Sequence, residues 1–307
     1  MGFGQNKLGV HALCWVGGWS EAEARKAIEG TARVGYDLIE IPALDPDKID
    51  AGMTARLLEE YGLAATISLG LGPDTDTSSG DPEKVARGEA LLMKVVGIAR
   101  DIGATHICGV LSSAMTKYYQ PATAAGLDQS VGVLRRVAEK AAASDIEVGL
   151  EIVNRYETNL ANTAAQGVAL CEMVGGRNVK VHLDTYHMNI EEADAARAIV
   201  ETGDRLGYFH LGDSHRGYLG SGSIDFGPIF RALAQIDYGG PLVFESFSSE
   251  VVDPTLSNVL GIWRNLWSDG EDLIRHARDF TLAHVKSGAR TDALSAARQP
   301  KGVLQDG

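Results

Sequence analysis

Eight short apolar runs alternate with amphipathic segments of helical period along the 307 residues, and no break in composition divides them. No glycine-rich fingerprint follows the first apolar run, where C-W-V-G-G-W-S stands instead, and this argues against an open doubly wound sheet. Together these observations predict an α/β chain folded as a single (β/α)8 TIM barrel over residues 1–286. The last stretch, S-G-A-R-T-D-A-L-S-A-A-R-Q-P-K-G-V-L-Q-D-G, is polar and lacks a periodic apolar face, so 287–307 reads as a short flexible C-terminal tail.

The first expected strand is LGVHALC (8–14), and Ser20 with Glu23 forms a capping box ahead of a helix over 21–34 that Gly35 ends. YDLIEI (36–41) is the second strand, with a helix over 53–61, and LAATISL (63–69) is the third. Asp81-Pro82 then opens a long helix that stops near Gly103, with proline at the first helical position. THICGVL (105–111), IEVGLEI (146–152), VKVHLD (179–184), LGYFHLG (206–212) and PLVFES (241–246) complete the strands. Helices are expected between and after them at 130–143, 163–174, 191–201, 228–236 and 258–267. The strands are mostly aliphatic throughout, as strands buried on both faces must be.

Composition excludes several classes. With 45% hydrophobic and 22% charged residues, the chain can build a large core and is not disordered. Its 28 Lys and Arg against 41 Asp and Glu give a net charge of −13, which opposes any coating of nucleic acid. No apolar run approaches membrane-spanning length, and MGFGQNKLGV lacks the plan of a signal peptide, so a cytoplasmic protein is expected. Cys14, Cys108 and Cys171 are too few and too scattered for a disulfide framework or a cysteine metal site, and read as buried apolar residues.

In such a barrel the chemistry sits at the C-terminal ends of the strands. There, four consecutive strands finish on a possible ligand: Glu151, Asp184, His210 and Glu245. Neighbouring strands lie roughly 4.8 Å apart, so these side chains can converge on one point. Three carboxylates and an imidazole suit Mn²⁺, Mg²⁺ or Co²⁺ with positions left for substrate, whereas without a cation the carboxylates would repel. The flanking loops add Arg155 and Glu157, then His187, then Arg216.

The motifs E-I-V-N-R-Y-E, L-D-T-Y-H-M-N-I-E-E, F-H-L-G-D-S-H-R and F-E-S-F resemble those of the ketose 3-epimerases, the D-tagatose, D-allulose and L-ribulose 3-epimerase group, over residues 8–285. The resemblance implies a (β/α)8 barrel, one divalent ion per subunit (most commonly Mn²⁺, also Mg²⁺ or Co²⁺) and a homodimer or homotetramer. It implies that Glu151, Asp184, His210 and Glu245 ligate the metal, and that Glu157, His187 and Arg216 hold the O1 and O2 end of a free ketose. The chain departs from many relatives at His11 and Leu13, where aromatics are usual, and at Asp213-Ser214-His215.

Epimerisation at C3 removes a proton beside a carbonyl and returns one to the opposite face, which calls for two bases. Glu151 and Glu245 flank the expected ion and are the candidate pair, with His187 and Arg216 as donors to the developing enediolate. His11 and Trp19 are candidate sugar contacts, although Trp15 and Trp19 suit helix packing equally. A metal-dependent aldose–ketose isomerase on the same barrel is the alternative. A repair endonuclease would need more histidines and a basic groove, and a non-catalytic sugar-binding barrel would not need paired carboxylates around a metal. D-T-D-T-S-S-G-D (74–81) lacks the glycine of a calcium loop and reads as a plain loop. The glycines of 217–223 read as a loop that approaches substrate closely.

Overall fold

The structure, a computed structural model, describes residues 2–298. Its strands are β1 (Leu8–His11), β2 (Leu38–Pro42), β3 (Ala64–Leu71), β4 (His106–Ala114), β5 (Glu147–Glu151), β6 (Val179–Asp184), β7 (Leu206–Leu211) and β8 (Leu242–Phe244). All neighbours pair in parallel, and β8 returns to β1 to close the barrel in sequence order. Closure removes both sheet edges and buries every strand between a packed interior and an outer ring of helices.

That ring is made of α1 (Glu21–Val34), α2 (Ala51–Tyr61), α3 (Pro82–Ile102), α4 (Ala124–Ala142), α5 (Ala164–Val174), α7 (Ala195–Thr202), α8 (Phe226–Gln235) and α10 (Gly270–Arg298). Two short helices, α6 (Thr185–Glu191) and α9 (Pro254–Leu260), follow β6 and β8 at the C-terminal face. The expected capping box is present, with the Glu23 N–H donating to Ser20 Oγ at 3.4 Å and the Ser20 N–H to Glu23 Oε2 at 3.0 Å. Gly35 and Gly103 end α1 and α3 in the left-handed region, where a side chain would be strained.

The structure differs from expectation where local pattern competes with packing. The run 258–267 does not form one helix: α9 ends at Leu260, because Gly261 takes φ 67° and its N–H caps α9. The helix that packs against the barrel after β8 is α10, whose Leu273, Ile274 and Ala277 are fully buried. It also continues through 287–298, so the expected tail begins as helix. Alanine-rich sequence readily extends a helix already nucleated and packed, even without an apolar stripe. Residues 299–307 lie outside the described residues.

The barrel interior is layered. Leu38, Cys108, Tyr208 and Val243 form an apolar plug, and each such buried side chain contributes roughly 1.5–3 kcal/mol. Toward the C-terminal ends the filling becomes polar, with Glu40, Thr66, His182 and His210 buried. Among the described residues no helix is long and apolar enough to cross a membrane. The three cysteines are free and buried.

Candidate active site

Glu151 closes β5, Asp184 closes β6, His210 is the penultimate residue of β7, and Glu245 follows β8 directly. Register pairs Asp184 with His210 and His210 with Val243, which aims these side chains at one point above the barrel floor. His210 Nδ1 lies 3.8 Å from Glu151 Oε1 and 3.8 Å from Glu245 Oε1. Asp184, His210 and Glu245 offer ligand atoms within 4.8 Å of one another, as do Glu151, Asp184 and His187. The four strand-end residues therefore do converge.

What aims His210 is a residue the sequence reading did not single out. Glu40, in the middle of β2 and fully buried, lies 2.8 Å from His210 Nε2 and also accepts from Tyr208 Oη at 2.7 Å. A charge inside an otherwise apolar strand was the available signal. Burial opposes the charge on each, but attraction outweighs it: His210 is raised to about 10, while the His210 and His11 rings hold Glu40 well below the carboxylate range. With Nε2 engaged, His210 Nδ1 is buried and without a hydrogen-bond partner, and it faces the carboxylates. A divalent ion among these hard oxygen donors would take the place of the Nδ1 proton, with the other ring nitrogen held by a carboxylate. The donor set fits such an ion.

The remaining carboxylates are set apart electrostatically. Burial pushes Glu151 well above its usual range, and the charges of Glu245 and Asp184 add to that. Asp184 is likewise raised by burial, against the pull of Arg216, and its Oδ1 caps α6 by accepting from the Tyr186 N–H at 2.7 Å. For Glu245, Arg216 and His210 overcome the burial cost and hold the carboxyl low.

Arg216 reaches in from the loop after β7. It hydrogen-bonds Glu245, lies 3.4 Å from Asp184 Oδ2, and is stacked 4.1 Å from the Tyr186 ring and 5.0 Å from that of Phe247. Its backbone holds φ 62°, a left-handed conformation costly for a non-glycine residue and found where function over-determines geometry. The short helix α6, absent from the helices expected of the sequence, turns His187 back into the site, 3.7 Å from Glu151 and 3.9 Å from Asp184. Glu157 lines the same cavity and is raised by burial. It makes no pair with Arg155, which instead clasps Glu191 at 2.6 and 2.9 Å.

His11 lies under the site, 3.1 Å from Ser68 Oγ and 3.4 Å from Glu40 Oε1, and lines the cavity. The far end is apolar, formed by Leu13, Leu44, Val110, Met115, Leu256 and Leu260. Trp19 is a correction, since it does not line this cavity: its indole N–H donates to Thr54 Oγ1 of α2 at 3.0 Å and its ring is buried against the helices. Trp15 does the same with Thr31. A tryptophan satisfied by a helix hydroxyl is a packing element. The 217–223 loop folds over Asp213, whose Oδ2 accepts the Gly220 N–H at 2.7 Å, and a Cβ at Gly222 would collide with that carboxylate.

A closed barrel whose strand ends gather three carboxylates and an imidazole belongs to a recognisable class. The chain is a member of the xylose isomerase-like TIM barrel family, whose sequence model matches residues 28–283. The L-ribulose 3-epimerase of Methylomonas sp. (strain DH-1) is 53% identical over 274 residues, spanning 89% of this chain and 96% of that one. The ketose 3-epimerase of Arthrobacter globiformis is 51% identical over 274 residues, spanning 89% and 95%. A solved D-allulose 3-epimerase from Methylomonas sp., in complex with D-allulose, superposes with a TM-score of 0.90 at 51% identity, over 92% of this chain and 99% of that one. With these epimerases the protein is an isomerase-class enzyme.

Proposed function

We propose that the protein is a metal-dependent ketose 3-epimerase that inverts C3 of free ketoses such as D-fructose/D-allulose, D-tagatose/D-sorbose or L-ribulose/L-xylulose. The observation that carries this is the partnerless His210 Nδ1 facing Glu151 and Glu245, each at 3.8 Å. Glu151, Asp184, His210 and Glu245 would hold one divalent ion, with a donor set that suits Mn²⁺ best and Mg²⁺ or Co²⁺ as well. Bound there, the ion supplies Lewis acidity to the ketose oxygens.

The chain's own groups do the proton work. One glutamate takes the C3 proton as a carboxylate, and the electron pair moves onto the C2 carbonyl oxygen to give an enediolate. The other glutamate, already protonated, delivers its proton to the opposite face of C3 as the carbonyl re-forms. Glu151 and Glu245 reach the site from the ends of β5 and β8, each with Oε1 3.8 Å from His210 Nδ1, which supports a pair of groups acting from two sides. Arg216 and His187 donate to the oxygens on which negative charge develops, and Glu157 helps hold the O1 end. Among the described residues Arg216 is the one Lys or Arg lining the cavity, and it is engaged by Glu245 and Asp184, which favours a free sugar over a sugar phosphate.

The same reading places the enzyme in the cytoplasm as a homodimer or homotetramer. A panel of free ketohexoses and ketopentoses assayed with Mn²⁺, with and without EDTA, tests the activity. The expected result is the C3 epimer of at least one ketose and its loss with EDTA. Formation of an aldose instead would make the enzyme an aldose–ketose isomerase.

A further inference from the structure

We propose that Asn154 is a positioning residue: it fixes His187 as the tautomer protonated on Nε2, so that the ring presents a donor to the reacting oxygens of the substrate. The inference rests on the epimerase reading for what the donor serves, but the tautomer itself follows from hydrogen bonding alone.

Asn154 stands three residues beyond Glu151 and is 1% exposed. Its backbone N–H donates to His187 Nδ1 at 3.2 Å, and its side-chain Nδ2 lies 2.8 Å from the same nitrogen. The amide cannot be turned the other way. Its Oδ1 already accepts the Tyr156 N–H at 2.9 Å, and Nδ2 donates to Glu157 Oε1 at 2.9 Å. Reversing it would set oxygen against a carboxylate and nitrogen against an N–H. So every polar atom of Asn154 is used, and two N–H donors converge on His187 Nδ1.

A neutral imidazole accepts on one nitrogen and donates from the other. Nδ1 is therefore the acceptor and Nε2 carries the hydrogen. The surroundings of Nε2 agree, because Glu151 Oε1 and Asp184 Oδ2, oxygens able to accept, lie 3.7 and 3.9 Å away. Arg216 Nη2 lies 3.3 Å from Nε2 and can only donate, a contact set against this tautomer, but it is a single side-chain group that can turn away, against two N–H donors at Nδ1. The backbone N–H of Asn154 has no such freedom. His187 thus reaches the cavity as a fixed, neutral donor, and the same amide bridges it to Glu157, tying together two groups on the carbonyl end of the substrate.

The test is ¹⁵N NMR of the histidine-labelled, metal-free protein, with the His187 resonances assigned by their loss in His187→Gln. The wild type should show a protonated Nε2 and an unprotonated Nδ1. Asn154→Asp keeps an oxygen for the Tyr156 N–H but sets a carboxylate against Nδ1, so the proton should appear on Nδ1. With Mn²⁺ and a ketose, kcat of this variant should fall about 10²-fold while KM changes little, the signature of a lost transition-state donor. A wild-type spectrum with Nδ1 protonated overturns the proposal even if Asn154→Asp does not fold. So does a folded Asn154→Asp in which the proton stays on Nε2, or in which it moves and kcat does not. A wild type with the expected spectrum and no turnover of any ketose would overturn the epimerase reading instead.

Discussion

The contact between Glu40 and His210 decides how the site is built. His210 could be read from the sequence as a strand-end histidine, and so could the carboxylates beside it, because position at the end of a barrel strand is a local property. Glu40 could not. It sits inside Y-D-L-I-E-I, where its charge is conspicuous but its partner is 170 residues away. Asn154 was hidden for a similar reason, since only the fold brings His187 against it. Replacing Glu40 by Gln should weaken divalent-ion binding by about 10- to 100-fold, as loss of the carboxylate behind a ligating histidine does elsewhere. Titration calorimetry with Mn²⁺ measures this, and an unchanged affinity would remove Glu40 from the metal account. Glu151→Gln and Glu245→Gln should each lower kcat by at least about 10²-fold while sugar binding stays measurable by saturation-transfer NMR. Near-normal turnover in either variant would end the two-base scheme.

At the scale of elements, caps and glycines were the most legible features. Ser20 with Glu23, Asp81 with Pro82, and Gly35 and Gly103 end their helices where the sequence places them. The failures arise where a short apolar run serves two possible elements. Trp263 and Leu266 gave 258–267 a helical look, yet Gly261 stops α9 and Trp263 stands 80% exposed. The short helix α6 was not legible, because nothing in its composition shows that Asp184 caps it. Trp19 was legible as an aromatic suited equally to sugar contact and helix packing, and what decides for packing is Thr54, distant in sequence on α2. Trp19→Phe should therefore cost about 1 kcal/mol of stability through the lost hydrogen bond, read as a lower melting temperature. KM for the ketose should be unchanged, and a clear rise in KM would return Trp19 to the substrate site.

For the whole molecule, alternation of apolar runs and amphipathic segments was enough to specify the barrel, because each strand must be apolar on both faces and each helix on one. What alternation cannot express is the polar filling near the C-terminal face, where Glu40, Thr66, His182 and His210 replace the usual branched aliphatics. That filling turns a structural interior into the floor of a reaction site. The central claim is that this floor and the strand-end glutamates exchange the proton at C3 of a ketose. Turnover in D₂O with Mn²⁺, followed by NMR, tests it most directly. The account predicts product ketose carrying deuterium at C3 alone, with EDTA abolishing the exchange. Product that keeps its original C3 hydrogen, or deuterium found instead at C1 or in an aldose, would contradict it.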